Sequence, residues 1–434
     1  MLSRLLHLQG DELLRLRPFF SLYFLLFAGL TLGDGVALSL FVEGAGAESL
    51  PRAFAAIAII NLGLVAWYFF KAQGASSTKL FAAILISAAL LFVATWVLAR
   101  FPRSETAAYA ALFVSREIAL TMVLLHFGTY LQDYFSRDEL NRVMPVVYAG
   151  GRAGGIFGAA LLEHLSRRVG LPNMVLLAAG LMLAGLVVVA RRPKTAAPTG
   201  DSKAAAKPPE VAETEEERLA RTTLVGFLRY VRHSRLLFWI TAAAFLFMMC
   251  RWMLNYQYTA FLGAQFLVVD EPMTATDDET NMAEFLGWYT QIALAASLLL
   301  QLFGVSRLIR FLGLGGAHTA YSTLVVAALL VNLLPMTLGL AVTCRFVETE
   351  LRFGLRNPLM QLITNRFSKP VRIRVRSWTL GILVPLSTIA ASALLSVLVG
   401  QGPFEGWLPW VGGALGFAYL ACSVKMARTL RAMD

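Results

Sequence analysis

Charge is what this sequence has least of. Only 15% of its 434 residues are Asp, Glu, Lys or Arg, against about 25% in an ordinary soluble domain. That excludes a water-covered surface over most of the chain. Cysteine is nearly absent: Cys250, Cys344 and Cys422 lie far apart, each in an apolar run. The spacing excludes a disulfide framework or a thiolate metal site, and the three read as small buried hydrophobes. Histidine is scarce too. The five residues form no ligand set, and His7, His164, His233 and His318 read as lying near helix ends or loops. There is no Ser-His-Asp order, HExxH or Walker loop. No enzyme activity, metal or cofactor is expected.

What the chain does have is apolar length. A helix crosses the hydrocarbon layer with about 20 apolar residues. Runs of that order occur at 18–42, 52–70, 80–99, 107–131, 144–166, 171–190, 236–262, 284–304, 315–334, 336–356, 377–399 and 407–424. The start, "MLSRLLHLQGDELLRLRP", is too polar for a cleavable signal, so the run after it reads as a retained first span. The sequence therefore predicts an all-α membrane protein with twelve transmembrane helices. They fall into two pseudo-symmetric six-helix bundles, 18–190 and 235–428. A cytoplasmic linker at 191–234 joins them, and short cytoplasmic segments, 1–17 and 429–434, flank them.

The net charge of +11 raises the question of nucleic acid, and the position of the basic residues answers it. Most lie at the N-terminus, in the even-numbered connections and at the C-terminus. The odd-numbered connections hold five: Arg52, Arg100, Arg103, Arg167 and Arg168. By the positive-inside rule both termini are cytoplasmic, and no nucleic-acid partner is expected. Arg167 and Arg168 do not fit this pattern.

Four arginines fall inside spans: Arg116, Arg152, Arg251 and Arg345. Arg152 sits in "YAGGRAGGIFGAALLEHL", where Gly150, Gly154 and Gly158 recur every four residues. No strand pattern precedes this stretch. It reads as small-xxx-small contact between membrane helices, not as a phosphate loop. Other polar residues align on helix faces: Arg251, Asn255 and Tyr258 in span seven, and Arg345, Glu348, Arg352 and Arg356 in span ten. Asp34 and Glu117 supply further carboxylates. Charges in spans cost about 2.5–3.5 kcal/mol each on insertion scales, so they face a cavity or a partner. Two readings stay open. Either Arg116, Arg152, Arg251, Arg345, Asn255 and Tyr258 contact a solute, with Asp34, Glu117, Glu348 and His126 gating or coupling, or these charges form static pairs. Arg352 and Arg356 are expected to snorkel to the cytoplasmic surface. Asp34 and Arg251, at matching depths in spans one and seven, are expected to pair.

In the linker, Thr214 and Glu217 make a capping box. After it, Arg218, Arg221, Arg229 and Arg232 share one face, with Leu219, Leu224, Phe227 and Val231 opposite. This predicts an interfacial helix on an anionic leaflet, beside the alternative of a solvated linker helix.

Two six-helix halves, termini inside and a long central linker resemble the major facilitator superfamily. "MLNYQYTAFL", "MAEFLGWYTQIALAASLLLQLF" and "GLRNPLMQLITNRFSKPVRIRVRS" are similar to segments of its bacterial and plastid ATP/ADP translocase-like branch. The chain departs from that branch at Thr259, where a lysine is usual, and lacks the superfamily's Gly-Asp-Arg pattern after span two. The resemblance implies an inner-membrane secondary transporter, monomeric, working by alternating access on a small anionic solute such as a nucleotide or phosphorylated metabolite. A neutral or amphiphilic solute, or a non-transporting scaffold, is the alternative.

Overall fold

The structure is a computed structural model and describes all residues except 1–11, 73–75, 136, 192–223, 268–274, 368, 400–405 and 434. Every regular element among the described residues is helical. The first six helices are α1 (Glu12–Ala45), α2 (Leu50–Ala72), α3 (Ser77–Leu98), α4 (Glu105–Gln132), α5 (Arg137–Val169) and α6 (Leu171–Ala190). There follow α7 (Leu224–His233), α8 (Arg235–Leu267), α9 (Ala275–Leu299), α10 (Val305–Leu330) and α11 (Leu338–Glu348). The last four are α12 (Asn357–Thr364), α13 (Lys369–Trp378), α14 (Val384–Val399) and α15 (Leu408–Arg431). Wide π turns occupy Leu300–Gly304, Arg352–Arg356 and Thr379–Leu383.

The long helices are apolar around their whole circumference, as lipid on one side and protein on the other demand. Nine helical stretches among the described residues are long and apolar enough to cross a membrane. One of them, Met282–Leu333, runs for 52 residues, enough for two crossings at about 20 residues each. The chain is an all-α membrane protein.

Several helix boundaries differ from the sequence expectation. α1 begins at Glu12, so part of the expected N-terminal segment is already helix. Its first turns are held by Arg15, which bridges Glu139 at 2.9 Å and donates to the Tyr134 carbonyl at 2.7 Å. At the other end α15 continues to Arg431, past the expected limit. The expected connection at 305–314 is helical as well. α9 passes through its π turn into α10, and the path bends at Gly313, whose φ of 71° and ψ of 171° suit a residue without Cβ. The expected span 336–356 is not one helix: α11 ends at Glu348, Thr349 forms a turn, and the π turn then leads into α12. Of the expected linker helix, the described part is α7, which buries Phe227 and Val231 and exposes Arg229 and Arg232. The Thr214–Glu217 capping box, Arg218 and Arg221 lie outside the described residues.

The helices gather into two compact units. The first contains the described residues of Met1–Gly46, Leu64–Ala206 and Gly263–Ala295. The second contains those of Ala47–Gly63, Lys207–Leu262 and Ala296–Asp434. In the first, α1 is the central helix, packed on α4, α5 and α6, with Leu26, Ala28, Leu32 and Val36 fully enclosed. The α1–α5 seam is closed by glycine: a Cβ built at Gly154 would lie 2.0 Å from the Phe24 carbonyl oxygen, and one at Gly158 2.2 Å from that of Ala28. The repeat read from the sequence thus marks a backbone-to-backbone crossing.

Each unit draws on both halves of the chain. In the first, Gly287 of α9 rests on the backbone of Ala159 and Glu163 in α5. Arg167 reaches Glu284 at 2.5 Å, so one of the two arginines that broke the charge rule is neutralised. In the second, Phe54 packs on Trp252 with ring centroids 4.2 Å apart, and the Ser392 hydroxyl donates to the Pro51 carbonyl at 2.6 Å.

Candidate functional site

Most of the charges inside the spans gather in two clusters, one in each unit. In the first, Arg116 of α4 sits between two carboxylates. It bridges Asp34 of α1 at 2.8 Å and also binds its neighbour Glu117. Asp34 is flanked by Gly33 and Gly35, and this local sequence matters. A Cβ at Gly35 would lie 2.2 Å from Leu162, and one at Gly33 would touch the ring of Phe92 at 3.0 Å. The glycines let α5 and α3 close around a helix that carries a charge at that level. One guanidinium and two carboxylates leave this trio one negative charge in excess.

The second cluster is larger and of opposite sign. Glu348, at the end of α11, is 1% exposed. Arg251 of α8 donates to it through Nε at 2.7 Å, and the Tyr258 hydroxyl donates at 2.9 Å. The Asn255 amide donates to the same hydroxyl at 2.5 Å. Arg251, Asn255 and Tyr258 are about one helical turn apart, so one face of α8 delivers all three to one carboxylate. Arg345 lies over the Tyr258 ring at 5.4 Å, and Arg352 lies 3.9 Å from Glu348. Arg251 also covers the Trp252 ring at 4.2 Å, whose indole N–H donates to Thr388 at 2.8 Å.

Arg352 and Arg356 do not snorkel to the surface. Arg356 is buried, its guanidinium 3.6 Å over the ring of Phe247, and Arg352 is largely buried beside Glu348. The reason is that the chain stays helical through Thr364, so neither residue stands at a helix end. The π turn that carries both, Arg352–Arg356, is a geometry that occurs often at functional sites. The irregular backbone is accommodated by side chains: Ser297 donates to the Glu350 carbonyl and Tyr321 to that of Val347, both at 3.3 Å. Four guanidiniums (Arg251, Arg345, Arg352, Arg356) therefore share this region with two buried carboxylates, Glu348 and Glu350, a net excess of two positive charges. Several polar atoms here have no hydrogen-bond partner: Asn255 Oδ1, both amide atoms of Gln257, the Thr259 hydroxyl and Arg356 Nε.

The site residues expected from sequence thus separate. Asp34, Arg116 and Glu117 meet in the first unit, and Arg251, Asn255, Tyr258, Arg345 and Glu348 meet in the second. Asp34, expected opposite Arg251, takes Arg116 as its partner within its own unit, and Arg251 takes Glu348. Arg152 lies one turn beyond Tyr148 on α5, beside Tyr23. His126 has both ring nitrogens engaged, with the Tyr68 hydroxyl at 2.9 Å and the Ser77 carbonyl at 2.7 Å. It ties α2, α3 and α4 together. His318, expected near a helix end, is fully buried, and neither ring nitrogen has a hydrogen-bond partner. α10 begins ten residues before the expected span, so His318 lies well inside it, against Tyr419 at 6.1 Å between ring centroids.

An open groove of about 450 Å³ in the first unit is lined by Glu163, His164, Glu284, Phe285 and Trp288. Its carboxylates are already engaged, Glu284 by Arg167 and Glu163 by Gln291. It lacks the gathering of guanidiniums that distinguishes the second cluster.

No family model and no curated protein matches the sequence. Solved structures do. A single-site mutant of the nucleoside transporter NupG is similar with a TM-score of 0.61 at 14% identity, over 98% of this chain and 100% of that one. A bacterial homologue of the iron transporter ferroportin, in an inward-facing state, gives 0.63 at 14% identity over 96% and 100%. The peptide transporter POT in complex with sulfate gives 0.60 at 15% identity over 98% and 95%. At such identity the likeness is one of fold alone, and it runs end to end.

Proposed function

We propose that the chain is a secondary transporter of a small anionic solute, of the nucleotide or phosphorylated-metabolite class, held in the second unit by Arg251, Arg345, Arg352 and Arg356. The gathering of these guanidiniums, with the Nε of buried Arg356 left without a hydrogen-bond partner, carries this reading. A buried donor without an acceptor is costly, and an anionic solute supplies acceptors. Glu348 keeps Arg251 ordered while the site is empty, and Tyr258 and Asn255 fix its orientation.

Twelve spans in two halves, 18–190 and 235–428, with both termini in the cytoplasm of an inner-membrane protein, provide the moving parts. The segments 47–63 and 275–295 each pack with residues from the other half of the chain. They are the contacts that alternating access would break and remake. Arg116 with Asp34 and Glu117 is the natural gating trio, since a guanidinium between two carboxylates has two stable partners to choose from.

A thermal-shift screen on the purified protein tests this directly. Inorganic phosphate, ATP, ADP and glucose 6-phosphate are compared with adenosine and glucose. A ligand at 100 times its Kd stabilises the folded state by about 2.7 kcal/mol. A shift with the anions that disappears in Arg345→Gln supports the reading. A shift with adenosine or glucose and none with the anions refutes it.

A further inference from the structure

One end of the second unit carries a surface that solute transport does not use. Two apolar clusters define this end. Phe227, Val231 and Leu237 pack on Val371 and Val375 of α13, while Leu236 and Ile240 pack on Ile363, Met426 and Leu430. Phe367 touches both clusters and Leu314 touches the second. α7, α13, the Gly313 bend and the end of α15 therefore lie together. The segments that meet here, 224–240, 305–314, 357–378 and 421–433, contain no Asp or Glu. Their exposed charges are all basic, among them Arg229, Arg232, Arg307, Arg310 and Arg428.

The stretch of α10 before Gly313 is the most unusual part. Over residues 305–312, Val305 is buried, and Leu308, Ile309 and Leu312 are half-buried. The other face holds Arg307, Arg310 and Phe311, at i, i+3 and i+4, all exposed. Phe311 is 87% exposed, the highest value among the described large apolar side chains. A topological charge bias accounts for the arginines but not for a naked phenylalanine beside them. An aromatic ring next to two cations suits the boundary between headgroups and acyl chains.

We propose that this end of the second unit is a binding surface for the headgroups of anionic phospholipids. Arg307 and Arg310 engage the phosphates and Phe311 inserts among the upper acyl carbons. α7 extends the same basic surface through Arg229 and Arg232. The positive-inside assignment makes this the cytoplasmic leaflet. The proposal needs only the membrane placement of the fold, not the solute assigned above.

Native mass spectrometry of the full-length protein in detergent tests it, with dioleoyl phosphatidylglycerol and dioleoyl phosphatidylcholine titrated in separate runs and no solute present. Phosphatidylglycerol should bind in preference. The Arg307→Gln/Arg310→Gln variant should bind it about 25-fold more weakly, at roughly fivefold per guanidinium. Phe311→Ser should weaken both lipids. Arg100→Gln/Arg103→Gln, which removes two arginines outside this surface, serves as the control and should leave binding unchanged. Equal retention of the two lipids, or unchanged binding by the 307/310 variant, overturns the proposal. So does competition by millimolar inorganic phosphate, which would mark a site for a soluble anion. Failure here leaves the transport reading intact, because the thermal-shift screen uses no phospholipid as ligand.

Discussion

Replacing Gly158 by alanine adds one carbon, and the structure shows where that carbon must go. It would lie 2.2 Å from the Ala28 carbonyl oxygen; at Gly154 the corresponding distance to the Phe24 oxygen is 2.0 Å. Ordinary C–H···O contacts between helices are about 3.3–3.6 Å, so each substitution demands a local separation of about 1 Å. The obstructing atoms are backbone, so no side-chain rotation relieves the clash, and α1 must move off α5. Overpacking costs typically 1–3 kcal/mol; a backbone obstacle in the central helix of a unit puts these two near the upper end, about 3 kcal/mol each. At about 2–4 °C per kcal/mol, melting in detergent should fall by roughly 6–12 °C. Gly63, Gly128 and Gly180 are controls, since a Cβ at any of them meets nothing within 4 Å. Their alanine variants should match or slightly exceed wild type, by up to about 1 kcal/mol, because alanine favours helix. If Gly154→Ala and Gly158→Ala melt together with the three controls, the close crossing does not exist and the seam is wrong.

Breaking the Arg251–Glu348 pair from one side leaves a buried charge behind, which costs about 3–5 kcal/mol. Arg251→Gln and Glu348→Gln should therefore each lower the melting temperature more than the double variant does, and equal losses in all three would show that the pair does not hold the helices. Arg152→Ala, on the same helix as the glycine seam, should leave melting within a few degrees of wild type and impair solute uptake in proteoliposomes; a loss of folded protein instead would make it a packing charge. For topology, single cysteines at Asp201 and Asp270 should react with an impermeant maleimide from the cytoplasmic and external sides respectively. Cys250 and Cys344 are buried and give little background; reaction of both new cysteines from one side would end the two-halves account.

The sequence alone determined the solvent of this protein. Long apolar runs and sparse charge admit only helices in a bilayer, because an unpaired backbone group in hydrocarbon costs several kcal/mol. The same physics made the GxxxG repeat around Arg152 legible as helix contact, and placed Arg251, Asn255 and Tyr258 on one face, since 3.6 residues per turn leaves no other arrangement. What periodicity does not carry is depth and partner. Arg356 reads as a helix-end residue until α12 is seen to continue the helix beyond it. His318 reads as a residue near a helix end until α10 is seen to begin ten residues before the expected span. The π turn at Arg352–Arg356 differs from an α turn by one wider hydrogen bond and leaves no mark in composition. Partners, too, were decided only on folding. Asp34 chose Arg116, and Arg251 chose Glu348, because carboxylate and guanidinium pair at hydrogen-bond distance, and which helices come that close is set by small residues packing across the whole unit.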